Sequence, residues 1–345
     1  MEGVDLPVMP PVQPMLAKAA TAVPTESGMW SFEPKWDGFR ALVFRDADEV
    51  VIQSRNGKDL GRYFPELVEA VRAELAPRCV LDGEVVVTRE AGGRVRLDWD
   101  SLSQRIHPAQ SRIRLLAEQT PAHFIGFDAL AVGDSPLMGE HFSSRRAALV
   151  DAVGAGRWCH VSRNTEDPEL GSRWLATFEG AGLDGVIAKR LDGQYVPGKR
   201  EMVKVKHARD ADCVAIGYRV HKSGEGVGSI LLGLYRADGE LQMVGGAASF
   251  TVKDRIALLA ELEPLATGAV NDGEPSRWNS AADKTWIPIR PERVAEVAYD
   301  QMEGERFRHA VRFVRWRPDR DPAGCTFDQL DVPLSYDLND VLAEG

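Results

Sequence analysis

Residues 32–40 read Phe-Glu-Pro-Lys-Trp-Asp-Gly-Phe-Arg, and no other stretch constrains the chain as tightly. A lysine, a carboxylate two residues on, a glycine and then an arginine make a compact site for a nucleotide phosphate, with Lys35 as the nucleophile. An ordinary lysine amine is almost wholly protonated near neutral pH, so a nucleophilic one needs neighbours that favour its neutral form. Other cations do this, and they also hold the phosphate that the amine attacks. Lys35 therefore predicts further lysines, and carboxylates that carry a metal. The pattern Lys-x-Asp-Gly is short enough to arise by chance, and alone it fits a solvated lysine beside an Asp-Gly turn equally well. Its meaning rests on what the rest of the chain supplies.

Apolar and polar residues alternate through residues 31–44, on both sides of Asp37-Gly38, and again through 50–55 after Asp46-Ala47-Asp48, which predicts strands joined by turns. Residues 54–57, Ser-Arg-Asn-Gly, read as a turn that exposes Arg55. Pro65 opens a predicted helix with Leu67, Val71 and Leu75 on one face. Residues 79–88 form an apolar run interrupted by Asp82-Gly83-Glu84. A glutamate there is costly to bury unpaired, so Glu84 is either at a site or on an edge facing water, and the other motifs together favour the site. Residues 100–117 read as helical apart from Pro108, with their arginines on a solvated face, and a serine-capped helix is expected over 143–153. Residues 123–132 form another apolar strand with one carboxylate, Asp128, and 170–181 a helix stopped by Gly182. Leu-Asp-Gly-Val-Ile-Ala-Lys-Arg at 183–190 places Asp184 at one end of a strand and Lys189 at the other. At 202–206 the alternation is strict, so Lys204 and Lys206 share one face and Val203 and Val205 the other. Such a lysine row also suits an exposed sheet edge, and only the presence of Lys35 turns it into a phosphate clamp.

After about residue 207 the pattern becomes short strands with glycine-rich turns and one helix at 252–262, which suits a small barrel of the oligonucleotide-binding kind. Gly224, Gly226 and Gly228 precede a strand with no βαβ unit around them, so they read as a hairpin turn and not as a dinucleotide site. Residues 1–27, rich in proline and small residues, read as an extended segment anchored by Met9, Met15 and Leu16.

The net charge is −10, which by itself disfavours nucleic acid, but the charge is not spread evenly. Residues 189–222 hold nine Lys or Arg against four acids, and residues 305–320 hold six Arg against two. A local basic surface is compatible with an acidic total. The four cysteines never fall in a Cys-x-x-Cys pair, so neither a zinc site nor a disulfide framework is expected. No apolar run of about eighteen residues and no basic-then-apolar leader is present, and the expected location is cytoplasmic, with no membrane contact.

Taken in order, the blocks resemble the covalent nucleotidyltransferases, and among them the ATP-dependent DNA ligases. The resemblance is carried by Lys35-Trp36-Asp37-Gly38-Phe39-Arg40, then by Ser54 to Gly57, Leu81 to Glu84, Phe124 to Leu130, Leu183 to Lys189, Met202 to Lys206, and Arg317-Pro318-Asp319-Arg320. Arg105 to Pro108 and Tyr195 to Arg200 are similar to blocks of the small bacterial enzymes called ligase C, close relatives of the ligase module of ligase D. The resemblance implies an α+β architecture. An adenylation (nucleotidyltransferase) domain of antiparallel sheets with flanking helices would span 1–207, and an OB-fold β-barrel domain 208–345.

It also implies roles. Lys35 attacks the α-phosphate of ATP to give lysyl-AMP, Glu84 holds the ribose, Phe127 stacks on adenine and Glu33 lies beside the amino edge of the base. Arg40 and Arg55 contact sugar and phosphate, Lys189 belongs to the nucleotide pocket, and Lys204 and Lys206 clamp the α-phosphate. Asp184 with Asp37 binds Mg²⁺ or Mn²⁺. Arg317, Asp319 and Arg320 close over the site and orient the leaving pyrophosphate, with residues 206–212 as the hinge. The chain departs from the family pattern at Asp184, where Glu is usual, and at Arg320, where Lys is usual. The implied substrate is nicked duplex DNA, sealed by a monomer in DNA repair, with Ku or a repair polymerase as candidate recruiters. An RNA ligase or messenger-RNA guanylyltransferase shares the lysine motif, and a non-catalytic nucleic-acid-binding protein with a degenerate ligase core is the reading from another class.

Overall fold

The computed structural model describes residues 3–207, 209–271, 285–330 and 337–339. It divides into two compact units, Met1–His207 with Val332–Gly345, and Ala208–Asp331.

The first unit contains eleven described strands: β1 (Leu16–Ala20), β2 (Trp30–Pro34), β3 (Phe39–Asp46), β4 (Glu49–Ser54), β5 (Arg78–Ala91), β6 (Arg94–Leu97), β7 (Ala122–Val132), β8 (Ser135–Pro136), β9 (Cys159–Val161), β10 (Gly185–Arg190) and β11 (Arg200–Lys206). They make two sheets. The larger runs β4-β3-β5-β7-β8, with β6 on β5 and β9 on β7, and the smaller runs β1-β11-β10-β2. Helices α1 (Pro65–Glu74), α2 (Trp99–Gln104), α3 (Gln110–Gln119), α4 (Phe142–Ala152) and α5 (Pro168–Thr177) flank them.

Period-two alternation sorts the apolar residues into three cores. Val43, Leu81 and Phe124 on one face of the larger sheet pack with Leu67, Val71 and Leu149 of the helices. Leu42, Phe44, Val80 and Leu130 on its other face meet Met15, Tyr195 and Met202. On the smaller sheet, Phe32, Val186, Ala188, Val203 and Val205 pack against Trp174 and Phe178. Each fully buried Phe or Leu contributes roughly 1.5–3 kcal/mol.

The second unit holds β12 (Arg209–Val220), β13 (Val227–Tyr235), β14 (Leu241–Ala247), helix α6 (Val252–Leu262), β15 (Ile287–Pro288), β16 (Val294–Tyr299), β17 (Met302–Glu303), β18 (Arg306–Phe307) and β19 (Arg312–Trp316). The strand order is β14-β13-β12-β16-β19. Ala247 at the end of β14 bridges in parallel to Val311, just before β19, and Val311 N donates to Gly246 O at 3.1 Å. That bridge curls the sheet back on itself around Val214, Leu232, Val244 and Val297, which is the oligonucleotide-binding barrel expected from the strand lengths. The glycines at 224 and 226 lie in the turn between β12 and β13, as expected of a hairpin.

Several expectations are corrected. The second domain does not take in the whole of 208–345: Leu338 is fully buried in the core beside Phe32, and Asp337 Oδ1 accepts from Val95 N at 3.3 Å, so this segment packs on the first unit. The first 27 residues are not only extended coil, since β1 pairs in parallel with β11. Strand β11 therefore has a neighbour on each side and is no exposed edge. Helix α4 starts at Phe142 after His141, without a serine cap. Arg105 does not join a solvated face. It is wholly buried, donating to Thr120 O at 2.7 Å and Tyr63 O at 2.9 Å and pairing with Glu66 at 2.7 Å, because the end of α3 and the segment before α1 leave backbone carbonyls that need a donor. Among the described residues no helix is long and apolar enough to cross a membrane.

Removing one partner of a buried pair leaves the other uncompensated, so Arg105→Ala should lower the stability of the first unit by about 3 kcal/mol in urea unfolding. A loss below about 1 kcal/mol would mean that solvent replaces the guanidinium.

Candidate active site

The floor of a cleft of about 230 Å³ is one face of the smaller sheet. Ile187 is the Cα partner of both Glu33 and Lys204, so Glu33, Ile187 and Lys204 stand in one cross-strand row. Lys189 and Met202, two residues along their strands, fall on the same face and also line the cleft. The larger sheet contributes Arg40 and Glu84, which are opposite one another in register, and Phe127. The N-terminal segment, Pro14 to Ala17, closes one wall.

Lys35 follows directly on β2. Its N–H donates to Gly185 O at 2.8 Å and its carbonyl accepts from Asp184 N at 2.9 Å, so the two motif turns are zipped together. Lys35 Nζ consequently donates to Asp184 Oδ2 at 2.5 Å, and Lys206 Nζ reaches the same oxygen at 3.2 Å. Burial alone would raise the Asp184 carboxyl, but the two ammonium groups outweigh it and hold it below the usual carboxylate range. The expected second cation is present, yet the group nearest the Lys35 amine is an anion, and in this state the amine is a hydrogen-bond donor. The glycines of both turns are there for close approach. A Cβ on Gly38 would lie 2.2 Å from Val85 O, and one on Gly185, whose φ is +138°, would lie 2.1 Å from Val205 O.

At the closed end, Glu33 is 2% exposed. Lys189 Nζ pairs with Glu33 Oε2 at 3.0 Å and donates to Phe127 O at 2.5 Å. Burial pushes the Glu33 carboxyl up, against the attraction of Lys189 and Arg146. Glu33 Oε1 has no hydrogen-bond partner among the described residues, a costly arrangement unless a ligand donor fills it. The Phe127 ring borders the same space, with the Arg40 guanidinium 4.5 Å and Lys189 Nζ 4.9 Å from its centroid.

Arg40 is held from below. Its Nε and Nη2 each donate to Asp82 at 2.6 Å, and Nη2 also reaches Met15 O at 3.3 Å. The Tyr195 hydroxyl donates to Asp82 Oδ2 at 2.6 Å and accepts from Met15 N at 2.9 Å. Although burial opposes it, the Asp82 carboxylate raises the Arg40 guanidinium above its ordinary value, so the charge is permanent. Glu84 accepts from Gly38 N at 3.2 Å. Burial pushes its carboxyl up to about 7, with Arg40 and Lys35 pulling the other way.

The structure thus gathers Glu33, Lys35, Arg40, Arg55, Glu84, Phe127, Lys189 and Lys204 around one cleft, with Lys206 joined through Asp184 and Arg55 exposed at the mouth. Asp37 is half-buried in the turn after Lys35. Arg317, Asp319 and Arg320 lie in the second unit, where Asp212 and Glu296 hold them. Sequence reasoning did not assign Asp82 or Tyr195 a role, nor did it place Pro14, Ala17, Ile187 and Met202 in the cleft. The period of two next to Lys189 and Lys204 marks Ile187 and Met202. Nothing in the local sequence marks the N-terminal wall, which depends on β1 pairing with a strand almost two hundred residues away.

Such a cleft suits a purine nucleotide: an unpaired acceptor for an amino edge, an aromatic ring, a carboxylate and an arginine for the sugar, and lysines for phosphate. Family comparison agrees. The "ATP dependent DNA ligase domain" matches residues 14–206 and the "ATP dependent DNA ligase C terminal region" matches 223–320. DNA ligase C1 of Mycolicibacterium smegmatis is 75% identical over 99% of each chain. The multifunctional non-homologous end joining protein LigD of Mycobacterium bovis is 32% identical over 90% of this chain and 39% of its own length. Among solved structures, a Lig E DNA ligase superposes with a TM-score of 0.53 at 16% identity, covering 88% of this chain and 99% of its own, a likeness of fold. With the lysine-bearing cleft in one unit and the barrel in the other, the chain belongs to the ATP-dependent DNA ligases.

Proposed function

We propose that this ligase seals 5′-phosphate/3′-hydroxyl nicks in duplex DNA through AMP carried on Lys35. The observation that carries the reading is the placement of Lys35 and Lys206 on one oxygen of Asp184, in a cleft whose closed end offers the unpaired Glu33 Oε1. Lys35 Nζ, once it has released a proton to solvent, attacks the α-phosphorus of ATP; the N–P bond forms as the P–O bond to the leaving pyrophosphate breaks. AMP then passes to the 5′-phosphate, and the 3′-hydroxyl displaces it. Lys204 and Lys206 neutralise charge on the α-phosphate, where the transition state develops it. Arg40, anchored by Asp82, and Glu84 orient the sugar. Arg55, exposed at the mouth, meets the 5′-phosphate of the nick.

A divalent cation fits this site only in part. Among the described residues there is no cluster of three or more metal-ligating side chains, and one Asp184 oxygen already takes two ammonium groups. That suits Mg²⁺ or Mn²⁺ bound chiefly through phosphate oxygens and water, with Asp184 and Asp37 as its protein ligands; such an ion would stabilise negative charge on the phosphates. Arg317, Asp319 and Arg320 act on the departing pyrophosphate when the barrel closes through residues 206–212. The likeness to LigD, whose name specifies end joining, supports work in DNA repair; Ku or a repair polymerase is the recruiter we propose. We take the enzyme to act as a monomer in the bacterial cytoplasm, on chromosomal DNA.

Incubation with α-labelled ATP and Mg²⁺ should label the protein, and Lys35→Ala should abolish the label. Label that survives the substitution, or label from GTP in preference to ATP, would sink the mechanism. Glu84 supplies a second expectation. Its folded-state value lies above the ordinary 4.5, so the stability it contributes is complete below pH 4.5 and is lost as pH rises through about 7. The nucleotide-free protein should lose at most about 3 kcal/mol from this group between pH 5 and 8, and less because the side chain borders the open cleft. Glu84→Gln should flatten that part of the stability–pH curve; an unchanged slope would assign it to another group.

A further inference from the structure

We propose that Asp212 is a positioning residue for the closing motif, and that Arg320, not Arg317, is the cation it presents to the leaving pyrophosphate. The inference rests on the reading that this motif acts on pyrophosphate.

A guanidinium has five N–H donors. Arg317 has committed four of them: Nε and Nη2 to Asp319, at 2.9 and 2.7 Å, and Nη1 to Asp212 at 3.1 Å and to Glu296 at 3.3 Å. One N–H remains, too few for a bidentate grip on phosphate. Arg320 has committed only Nε, to Asp212 Oδ2 at 2.9 Å. Its two terminal amino groups have no partner among the described residues, and its side chain is 47% exposed against 19% for Arg317.

Asp212 is built to hold that direction. It is nearly buried, and its backbone is bracketed by one side chain, with Asp212 N donating to Gln329 Oε1 at 2.7 Å and Gln329 Nε2 donating to Asp212 O at 3.1 Å. In register it faces Glu296 on β16, which in turn faces Arg315 on β19. Three carboxylates, Asp212, Glu296 and Asp319, thus balance Arg315, Arg317 and Arg320, and of the two arginines of the closing motif the one with an open guanidinium end is Arg320. A phosphate contact displaced by about 1 Å loses up to roughly 100-fold in rate, so the carboxylate that aims Arg320 matters although it touches no substrate.

The test separates the step that releases pyrophosphate from the one that does not. In the full-length enzyme, Asp212→Asn should slow AMP transfer to Lys35, and pyrophosphate-driven loss of that AMP, about 10- to 100-fold. Sealing of a nick already carrying AMP should stay within about twofold, and Asp212→Glu, which keeps the charge, should recover part of the adenylation rate. Arg320→Ala should match Asp212→Asn. Equal loss in adenylation and in sealing of the adenylated nick, in both Asp212 variants, would reduce Asp212 to a scaffold residue and overturn the proposal. So would normal or faster adenylation in Asp212→Asn while Arg320→Ala is slow. If Arg320→Ala adenylates normally while Arg317→Ala is slow, the assignment to Arg320 is overturned and the motif reading stands; if both adenylate normally, the reading that the motif acts on pyrophosphate fails.

Discussion

Two ammonium groups on a single carboxylate oxygen organise the catalytic unit. Neither Lys35 nor Lys206 could approach the other so closely without Asp184 between them, and Asp184 could not be 4% exposed and ionised without both. The backbone makes the arrangement possible, because the residues of two Asp-Gly turns bond to each other where a side chain on either glycine would collide with a strand. The ion triad stores a phosphate site in neutralised form. On the proposed function, arriving phosphate would let the lysines exchange one anion for another, with the amine of Lys35 already beside it.

The same logic recurs around the cleft. Two charged groups expected to touch nucleotide have a buried counter-charge behind them, Asp82 behind Arg40 and Lys189 behind Glu33, and within the second unit Asp212 backs Arg320 in the same way. Each pair costs desolvation, which favours holding the charges in one orientation over gaining stability from them. Asp128 illustrates this. It takes two hydrogen bonds from Arg145 in a region excluded from water and stands 3.9 Å from Lys189, so the cation that supports Glu33 is itself supported.

The blocks that carry the chemistry were legible because each is short and local, with acid, glycine and apolar strand in fixed order. The strict alternation at 202–206 correctly separates Lys204 and Lys206 from Val203 and Val205. Helix α1 begins at Pro65 and helix α6 spans the expected residues, since proline at a first turn and a four-residue apolar spacing are local signals. Arg105 was misjudged as solvated because its partners are backbone carbonyls of residues 15 and 42 positions away, and no local pattern announces a carbonyl that needs a donor.

The sequence by itself determined the residue types of the candidate site and their order along the chain, because Lys35, Glu84, Asp184, Lys204 and Lys206 sit in motifs whose spacing is set by single strands and turns. Only the tertiary structure decided which of these groups meet. Pairing of β1 with β11 makes the N-terminal segment a wall of the cleft, Asp184 joins lysines 149 and 22 residues away, and Leu338 packs on the first unit rather than with the barrel. The physical reason is one of range: propensity and periodicity act over a turn or a strand, whereas burial of charge is settled by whichever distant strand supplies the counter-ion.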